Sequence, residues 1–415
     1  MLLLLALACG PGAEGPADTA GNSPPGPLLL VADTGTGRAR VYTQADGAPR
    51  GGPCLADLMP GRCGGGGKPC LLFDTQHEAE SDADVLTLTW GWHSSLGIPG
   101  QVSRLRFDVR GVQREWSFDA LTFPADDPLA AECAEDAGTL KACQLVLPHA
   151  TLTLDDGTRV VADTGNNRVI FVRVGEPDGG EAHVSADVVG RIDPPDNGAS
   201  AWWPNALSRT PEGLLVVSYK GADPAVTGYD NTGRILAFDV SEPSAPTLAW
   251  AFPPSGWLGA VHGAWVDPEA GLLYYGHAYG MSDDVDAGDL GSVGVARLGL
   301  EGPTYLADFV LPDGVAPFGF VREAEVTADG SVVITDSGCE NTEVECSLPG
   351  RVLVSPPFAL PEPTGLDGAW SPDHARQHVL PLEGVDERVT DTLAFPFETD
   401  AVEDAVGPLA SIDCP

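Results

Sequence analysis

The amino-acid sequence predicts an all-β fold, namely a six-bladed β-propeller in which a C-terminal strand completes the N-terminal blade. The prediction depends on three observations: a hairpin motif that occurs twice, a longer unit that recurs along the chain, and a composition that favours turns. The chain has 415 residues, of which 51 are Gly and 37 are Pro. Short β-branched runs between Gly, Asp and Asn dominate, and no long stretch has the apolar period of a helix.

The repeated hairpin has the pattern strand, turn, strand. One copy reads VADTGNNRVIFV over residues 161–172, and a near-copy, VADTGTGRARVY, occupies residues 31–42. The central Asp-Thr-Gly-Asn-Asn predicts a turn, because Gly and Asn tolerate positive φ, and apolar residues flank it on both sides. A fold built from similar blades needs such a central pair of strands in each blade.

A longer unit surrounds this hairpin. It starts with a polar or charged residue near an Ala and continues through a short strand, an Asp/Gly turn and further strands. Five such starts recur at intervals of 56 to 72 residues, and we call them the opening residues: His77, His149, Asn205, His262 and Arg322. Because units of this length cannot bury their faces alone, the repeats predict the blades of a closed ring.

The two ends of the chain predict how the ring closes. The front copy, from residue 28, lacks a leading strand, whereas residues 387–397 look like a leading strand without followers. Joined, they make a sixth unit, so the propeller domain is expected to span 28–415. A β-sandwich gives no reason for units of similar length, and a β-helix has a much shorter repeat.

The N-terminus predicts export and lipidation. Residues 1–9 form a short apolar segment, and Leu7-Ala8-Cys9-Gly10 resembles a bacterial lipoprotein cleavage site in which Cys9 becomes the lipidated first residue. Residues 10–27 are a Gly/Pro/Ala tether. We therefore expect an extracytoplasmic lipoprotein, periplasmic or at the cell surface, that meets the membrane only through its lipid. The alternative is a buried N-terminal strand.

Cysteine usage agrees with an oxidising compartment. Nine Cys occur, and removing Cys9 leaves an even number. Each of two pairs brackets a short polar loop and is predicted to form a disulfide: Cys133 with Cys143, and Cys339 with Cys346. The pairing of the remaining four stays open, with one of them expected to tie the C-terminus to the front of the chain: Cys54, Cys63, Cys70 and Cys414. Zinc is the rival interpretation, but these spacings, without a nearby His, suit it poorly.

The net charge of −38 excludes nucleic acid as a partner, because phosphate binding needs clustered Lys and Arg. The acidity indicates either simple solubility or cation binding at a few sites. Calcium is the one possible cofactor that the sequence suggests. Asp283, Asp284, Asp286 and Asp289 place oxygen ligands at nearly alternate positions around a Gly turn. The segment lacks the closing Glu of an EF-hand, so a solvated acidic loop is the alternative.

The hairpin resembles the signature of NHL-repeat propellers. The resemblance is carried by Asp163, Gly165, Asn166, Asn167, Arg168 and Val169, echoed by Asp33, Gly35, Arg38 and Val41, and loosely by Asp336, Gly338, Arg351 and Val352. The pattern His-x-Ala…Asp-Gly…Val-Ala-Asp-Thr-Gly is also similar to the blades of bacterial arylsulfate sulfotransferases. The first resemblance implies a binding platform. The second implies an enzyme whose channel His is transiently sulfated, while other His, Asn and Arg residues hold the sulfuryl group.

The opening residues are the candidate site. The first strand of each propeller blade is innermost, so these residues are expected to ring one mouth of the central channel. Imidazoles act as nucleophiles or acid–base groups, and Arg binds anions. The sulfotransferase resemblance makes His77, His149 and His262 the catalytic candidates, with Arg322 and Asn205 as oxyanion contacts. Plain ligand binding and a purely structural role remain the alternatives.

Two further features leave alternatives open. Two Glu-Ala-Glu frames place carboxylates next to opening residues, for metal binding or for ion pairs between blades: Glu78 and Glu80, and Glu323 and Glu325. Five Trp residues near blade starts predict either a glycan or peptide groove or core packing: Trp90, Trp92, Trp202, Trp203 and Trp257. The favoured function is a platform that binds a protein, glycan or small ligand at its central funnel, and the alternative is an arylsulfate sulfotransferase-like enzyme.

Overall fold

Antiparallel strands make up almost all of the regular structure. The computed structural model describes residues 28–33, 38–43, 49–51, 71–80, 83–91, 99–108, 111–135, 143–177, 183–193, 202–221, 232–255, 258, 261–277, 292–309, 311, 315–316, 318–327, 331–337, 350–355, 378–379 and 389–395. In these segments the short β-branched runs form strands, and the Gly- and Asp-rich stretches between them form the turns, as the sequence predicts.

Twenty-four strands follow one another along the described chain. They are β1 (Leu28–Asp33), β2 (Arg38–Thr43), β3 (Pro49–Gly51), β4 (Leu71–Glu80), β5 (Ala83–Gly91), β6 (Gln101–Asp108), β7 (Gly111–Phe118), β8 (Pro148–Thr153), β9 (Arg159–Asp163), β10 (Arg168–Val174), β11 (Ala186–Ile192), β12 (Trp203–Arg209), β13 (Leu215–Lys220), β14 (Gly233–Asp239), β15 (Thr247–Phe252), β16 (Val261–Asp267), β17 (Leu272–His277), β18 (Ser292–Arg297), β19 (Thr304–Asp308), β20 (Val321–Val326), β21 (Val332–Asp336), β22 (Arg351–Ser355), β23 (His378–Val379) and β24 (Val389–Phe395). A helix, α1 (Pro128–Glu135), lies between β7 and β8, and a single 3-10 turn spans Thr164–Asn166.

The strands form four-stranded antiparallel sheets. Five sheets each contain four consecutive strands: β4–β7, β8–β11, β12–β15, β16–β19 and β20–β23. A further sheet joins the two ends of the chain in the order β24-β1-β2-β3, with Leu30 opposite Leu393. The first strands of the five sheets contact one another in chain order, and β24 contacts both β20 and β4. This arrangement is a β-propeller, as predicted.

The hydrophobic core lies between neighbouring sheets. Phe171 of β10 and Tyr219 of β13 belong to one buried cluster that joins two blades, and Tyr275 of β17 belongs to the next. Alternate residues of each central strand point to opposite neighbours, so the central strands are buried on both faces. As a consequence, all residues of β9 and of β13 are buried. This explains why neither strand shows the apolar–polar alternation of a half-exposed strand.

The repeated hairpin motif contains a buried ion pair. Asp163 lies opposite Arg168 across the turn, and Arg168 Nε donates to Asp163 Oδ2 at 2.8 Å. Asp163 also accepts a hydrogen bond from the backbone N–H of Val146, in the segment that leads into β8. The Asp of the motif therefore connects the central hairpin, by a hydrogen bond, to the segment that precedes the innermost strand.

The same buried Asp–Arg ion pair recurs in another blade. Asp336 accepts from Arg351 Nε at 3.0 Å and from the backbone N–H of Phe320 at 2.8 Å, just before β20. Asp33 and Arg38 hold equivalent positions opposite each other across the β1–β2 turn. The motif recurs because each of these hairpins places an Asp at the end of one strand and an Arg at the start of the next.

The predicted disulfide between Cys133 and Cys143 is not formed in the structure, which has both residues as free thiols in hydrogen-bond contact. Burial, followed by the contact with Cys143, raises the pKa of Cys133 to about 12. The spacing correctly predicted that Cys133 and Cys143 are neighbours. It does not determine whether their sulfurs are oxidised to a disulfide.

Several other predictions lie outside the described residues. These are the signal segment 1–9 with Cys9, the tether 10–27, the calcium candidates Asp283, Asp284, Asp286 and Asp289, and the remaining cysteines Cys54, Cys63, Cys70, Cys339, Cys346 and Cys414. Within the described segments, no helix is long and apolar enough to cross a membrane. The same segments contain no group of three or more His, Cys, Asp and Glu arranged to hold a metal ion.

Candidate functional site

The innermost strands share a β-bulge at one level of the ring. In β8 the register passes from Pro148 to Ala150 while the partner strand advances one residue, so His149 is the extra residue. A bulge leaves its extra residue outside the ladder and re-aims its side chain. The side chain of an opening residue can therefore point in a different direction from those of its neighbours, which alternate along the strand and are buried between the blades.

The same bulge position is occupied by most of the opening residues. Asn205 is the extra residue of β12, Arg322 that of β20, and His262 belongs to the bulge of β16 together with Gly263. Four of the five opening residues are thus equivalent in structure as well as in sequence. Gly263 is required here because a Cβ at this position would lie 2.3 Å from the carbonyl oxygen of Arg322.

His77 occupies a different register position. It lies opposite Leu86 in the regular ladder of β4, whereas the bulge of that strand contains Phe73. The corresponding bulge of β24 contains Thr390. The predicted start of the β4 unit is therefore four residues out of register, because Gln76-His77-Glu78-Ala79 resembles the polar–Ala start of the other units.

His262 and Arg322 form the centre of the site. Arg322 Nη1 lies 2.9 Å from His262 Nε2, and Arg322 Nε donates to Ser337 Oγ at 2.9 Å. The guanidinium stacks over the ring of Phe320, with Cζ 4.4 Å from the ring centroid. Arg322 is only 8% exposed, so these contacts hold a nearly buried cation in one orientation.

Two more side chains reach this centre across the ring. The imidazole of His149 lies 5.4 Å from that of His262, although β12 separates β8 from β16. Lys220, at the end of β13, places its Nζ 5.8 Å from the centroid of Phe320 and 5.5 Å from that of Trp203. Lys220 is 4% exposed. The structure therefore gathers imidazoles and two nearly buried cations from four blades.

Asn205 lies at the same bulge level on β12, the strand between β8 and β16. Asn205 is 5% exposed, and its Nδ2 has no hydrogen-bond partner among the residues that the structure describes. A buried amide without a partner costs about 1–3 kcal/mol, so such groups in native proteins call for an explanation. We call the region beside Arg322, His262, His149 and Lys220 the recess, and a bound oxygen atom there would supply an acceptor for Asn205.

Hydrogen bonds fix the backbone of the site. Ser218 Oγ donates to the carbonyl oxygen of His262 at 2.8 Å and accepts from the N–H of Ala206 at 2.9 Å. Thr164 Oγ1 donates to the carbonyl oxygen of Pro204, the residue before Asn205. The bulges of β16 and β12 are thus each attached to a neighbouring blade.

Electrostatics keep His262 neutral. Its pKa lies well below the usual range because of burial first, and then because of the positive charges of Arg322, His149 and Lys220. These charges make the recess a local positive region in a chain of net charge −38. An anion placed there gains from two cations in a medium that screens them weakly.

The other sequence-predicted groups have mixed outcomes. Glu323 and Glu325 follow Arg322 on β20; Glu325 is buried, and Arg322 is the residue that reaches His262. Trp90 and Trp202 are core residues, since both are 2% exposed, and Trp202 packs edge-on against Tyr219. Trp203 is half-buried beside Lys220. Trp92, Trp257 and the side chains of Glu78, Glu80 and His77 are outside the described part of the structure.

Sequence reasoning missed Lys220, Phe320 and Ser337. Lys220 is one of only three Lys in the chain, and a cation at the end of an otherwise apolar central strand was the available signal. Ser337 follows Asp336 as Thr164 follows Asp163, so the motif alignment could have indicated it. Nothing in the sequence distinguished Phe320 from a core residue.

No family model and no curated protein matches the chain. Among solved structures, it is similar to the periplasmic gluconolactonase of Pseudomonas aeruginosa, at 11% identity over 89% of this chain and 98% of that chain, with a TM-score of 0.45. A protein from Lactobacillus plantarum has 10% identity, with 89% and 99% of the chains covered and a TM-score of 0.42. A putative 6-phosphogluconolactonase from Bacteroides uniformis has 11% identity, 89% and 100% coverage and a TM-score of 0.38. Identities and TM-scores this low do not indicate the function of this chain.

Proposed function

We propose that this protein is an exported six-bladed propeller that binds a small anionic ligand at the mouth of its central channel. The supporting observation is the convergence of Arg322, Lys220, His262 and His149 at one bulge level, beside the unpartnered amide of Asn205. For the blade count, the support is that β24 contacts β4 and β20, which puts the composite sheet between the first and last of the five others. Export and lipidation at Cys9 are supported by the N-terminal sequence alone.

The size of the ligand follows from burial. Arg322 and Lys220 are 8% and 4% exposed, so a flat protein surface cannot touch them without entering the recess. A carboxylate, sulfate or phosphate group at the end of a small molecule or glycan can enter it. Of the three ligand classes predicted from the sequence, the site therefore favours a small ligand or an acidic sugar over a folded protein.

Titration calorimetry of the full-length chain with inorganic sulfate and phosphate tests the proposal. We expect Arg322→Gln and Lys220→Gln each to weaken binding at least tenfold, because a charged hydrogen bond to an anion contributes roughly 1.5–3 kcal/mol. Arg209→Gln is the matched control, since Arg209 pairs with Asp155 on the surface. Absence of binding by the folded wild type at millimolar concentration would overturn the proposal, as would equal losses in all three variants.

Sulfuryl transfer is the second candidate function. The observation that favours it is a neutral imidazole, His262, beside a cation that can hold a sulfuryl oxygen. A transfer assay with an aryl sulfate donor and a phenolic acceptor tests it, with His262→Gln and His149→Gln compared with wild type. Turnover that either change abolishes would support an enzyme, whereas no turnover by folded wild type would leave anion binding as the function.

A further inference from the structure

The bulges of β16 and β20 pack directly against each other, although they belong to neighbouring blades. A Cβ added to Gly263 would lie 2.3 Å from the carbonyl oxygen of Arg322 and 2.8 Å from the Cα of Glu323. Only a residue without a side chain allows the two backbones to approach so closely. This packing places the imidazole of His262, the residue before Gly263, beside both the backbone and the side chain of Arg322.

Arg322 occupies both ring nitrogens of His262. A guanidinium has donors only, so the contact of 2.9 Å between Arg322 Nη1 and His262 Nε2 makes Nε2 an acceptor. The ring therefore carries its proton on Nδ1, which donates to the backbone of Arg322. The pKa of His262 lies well below its usual range, because of burial first and then of the charge of Arg322, which agrees with a neutral ring. His262 thus uses its one donor and its one acceptor on the same neighbour.

Two further contacts of Arg322 come from its own blade. Its Nε donates to Ser337 Oγ at 2.9 Å, and its guanidinium stacks on Phe320 with Cζ 4.4 Å from the ring centroid. These contacts fix the plane of the guanidinium, and the contact of Nη1 with His262 fixes the direction of the group within that plane. An Arg side chain otherwise samples many rotamers, so one that is held in its bound orientation loses less conformational entropy when a ligand arrives.

We propose that His262 is a positioning residue, which orients Arg322 for the anion and acts on the ligand only through it. The inference rests on the proposed anion-binding function and assigns the ligand contact at this place to Arg322. In a sulfuryl transfer, the same assignment makes His262 the support of the cation that binds the sulfuryl oxygens, because Arg322 occupies its lone pair.

A matched pair of amide variants tests the contact between His262 and the guanidinium. His262→Gln puts an amide near the position of Nε2, so its oxygen can still accept from Arg322, whereas the side chain of His262→Asn is too short to reach that position. Binding of inorganic sulfate to the full-length chain is measured by titration calorimetry. We expect His262→Asn to weaken binding roughly tenfold and His262→Gln to stay within about threefold of wild type. His183→Asn is the control and should bind as wild type does, because this half-exposed His pairs with Asp119 elsewhere.

A double-mutant cycle shows whether His262 acts through Arg322. The roughly tenfold effect of His262→Asn should shrink to less than about twofold in the Arg322→Gln background, because the side chain that His262 orients is then absent. Independent contacts with the ligand would instead give effects that multiply. Urea unfolding of each variant at pH 7 confirms that binding is compared between folded proteins.

The tautomer of His262 gives a readout that does not depend on any ligand. Two-bond ¹H–¹⁵N correlation spectra of wild type at pH 7 should show a neutral ring with its proton on Nδ1. The signals of His262 are those that disappear in the spectrum of His262→Gln.

The outcomes distinguish the positioning role from the anion site itself. Multiplying effects in the cycle, or equal losses in His262→Gln and His262→Asn, overturn the positioning role and leave the anion site standing. An Nε2–H tautomer or an imidazolium at His262 also overturns it, since neither form accepts from Arg322. Failure of the folded wild type to bind sulfate or phosphate overturns the proposed function on which the inference rests.

Discussion

Asp163 stabilises its blade because its carboxylate meets three donors away from water. They are the backbone N–H of Val146, the side-chain amide of Asn166 and the guanidinium of Arg168, all at about 2.8 Å. Asp163 has no exposed surface, and Arg168 is 4% exposed. A buried pair of this kind is weak evidence of net stabilisation, but removing one partner leaves the other charge buried and uncompensated.

Asp163→Asn should therefore lower the free energy of unfolding by about 3–5 kcal/mol. Asp155→Asn is the matched control, because Asp155 pairs with Arg209 at 2.7 Å while remaining largely exposed. An exposed pair contributes about 0–1 kcal/mol, so the control should lose no more than that. Urea unfolding at pH 7 measures both values, and similar losses in the two variants would contradict the role given to the buried pair.

His262 should make the protein less stable in acid. Its pKa is lowered in the folded state, so the unfolded chain, with an ordinary His pKa of about 6.5, binds the extra proton first. Stability contributed by this group is complete above pH 6.5 and falls as the pH drops below it, by at most about 1.4 kcal/mol per pH unit. Burial is the main cause of the lowered pKa, and the charged groups that add to it are Arg322 on β20, His149 on β8 and Lys220 on β13.

The measurement compares wild type with His262→Gln by urea unfolding at pH 7.5, 6 and 5. Gln can still accept from Arg322, so the variant should lose less stability than wild type between pH 6 and 5. The many carboxylates of the chain change both proteins alike and cancel in the comparison. Parallel curves for the two proteins would show that His262 is protonated freely in the fold.

At the scale of the element, the innermost strand and its bulge determine the site. The bulge is where the register of each strand shifts, and His149, Asn205, His262 and Arg322 all lie in it. A bulge has no sequence signature of its own, because backbone register depends on the partner strand. The sequence pattern therefore predicted the strands and the hairpins, which are local, but not the positions of the bulges.

The failures have the same physical origin. His77 was grouped with the opening residues because of its neighbours in sequence, whereas the β4–β5 register puts Phe73 at the bulge. Lys220 comes from β13, a central strand, and reaches the site only because that strand ends beside the bulge of β12. Contacts between blades join residues far apart in the chain, and no local pattern encodes them.

For the whole molecule, the position of the cations matters more than their number. The chain carries a net charge of −38, which disfavours the approach of an anion from a distance. This repulsion is screened beyond about 8 Å at physiological ionic strength, while Arg322 and Lys220 act at contact inside a recess. The acidity thus opposes non-specific anion binding, while neighbouring blades together form a local positive region that no single blade could supply.

Closure of the ring is the property that holds these blades together. β24 pairs with β1 and contacts β4 and β20, so it is the strand through which the two ends of the chain meet. Ending the chain at residue 386 removes β24, leaves β1 without its inner partner and opens the ring between β20 and β4. The cations on β20 and β13 then lose the fixed geometry that the site requires.

We expect this truncation to lower Tm by roughly 10 °C or more, the shift that corresponds to several kcal/mol in a chain of this size. Amide hydrogen exchange should accelerate first in β1, β4 and β20, the strands that contact β24. The control chain ends at residue 398, which keeps β24 and removes Cys414. If both truncations lower Tm equally, the C-terminal tail or its disulfide closes the ring. If only the shorter chain is destabilised, the strand closes it, and anion binding should be lost with it.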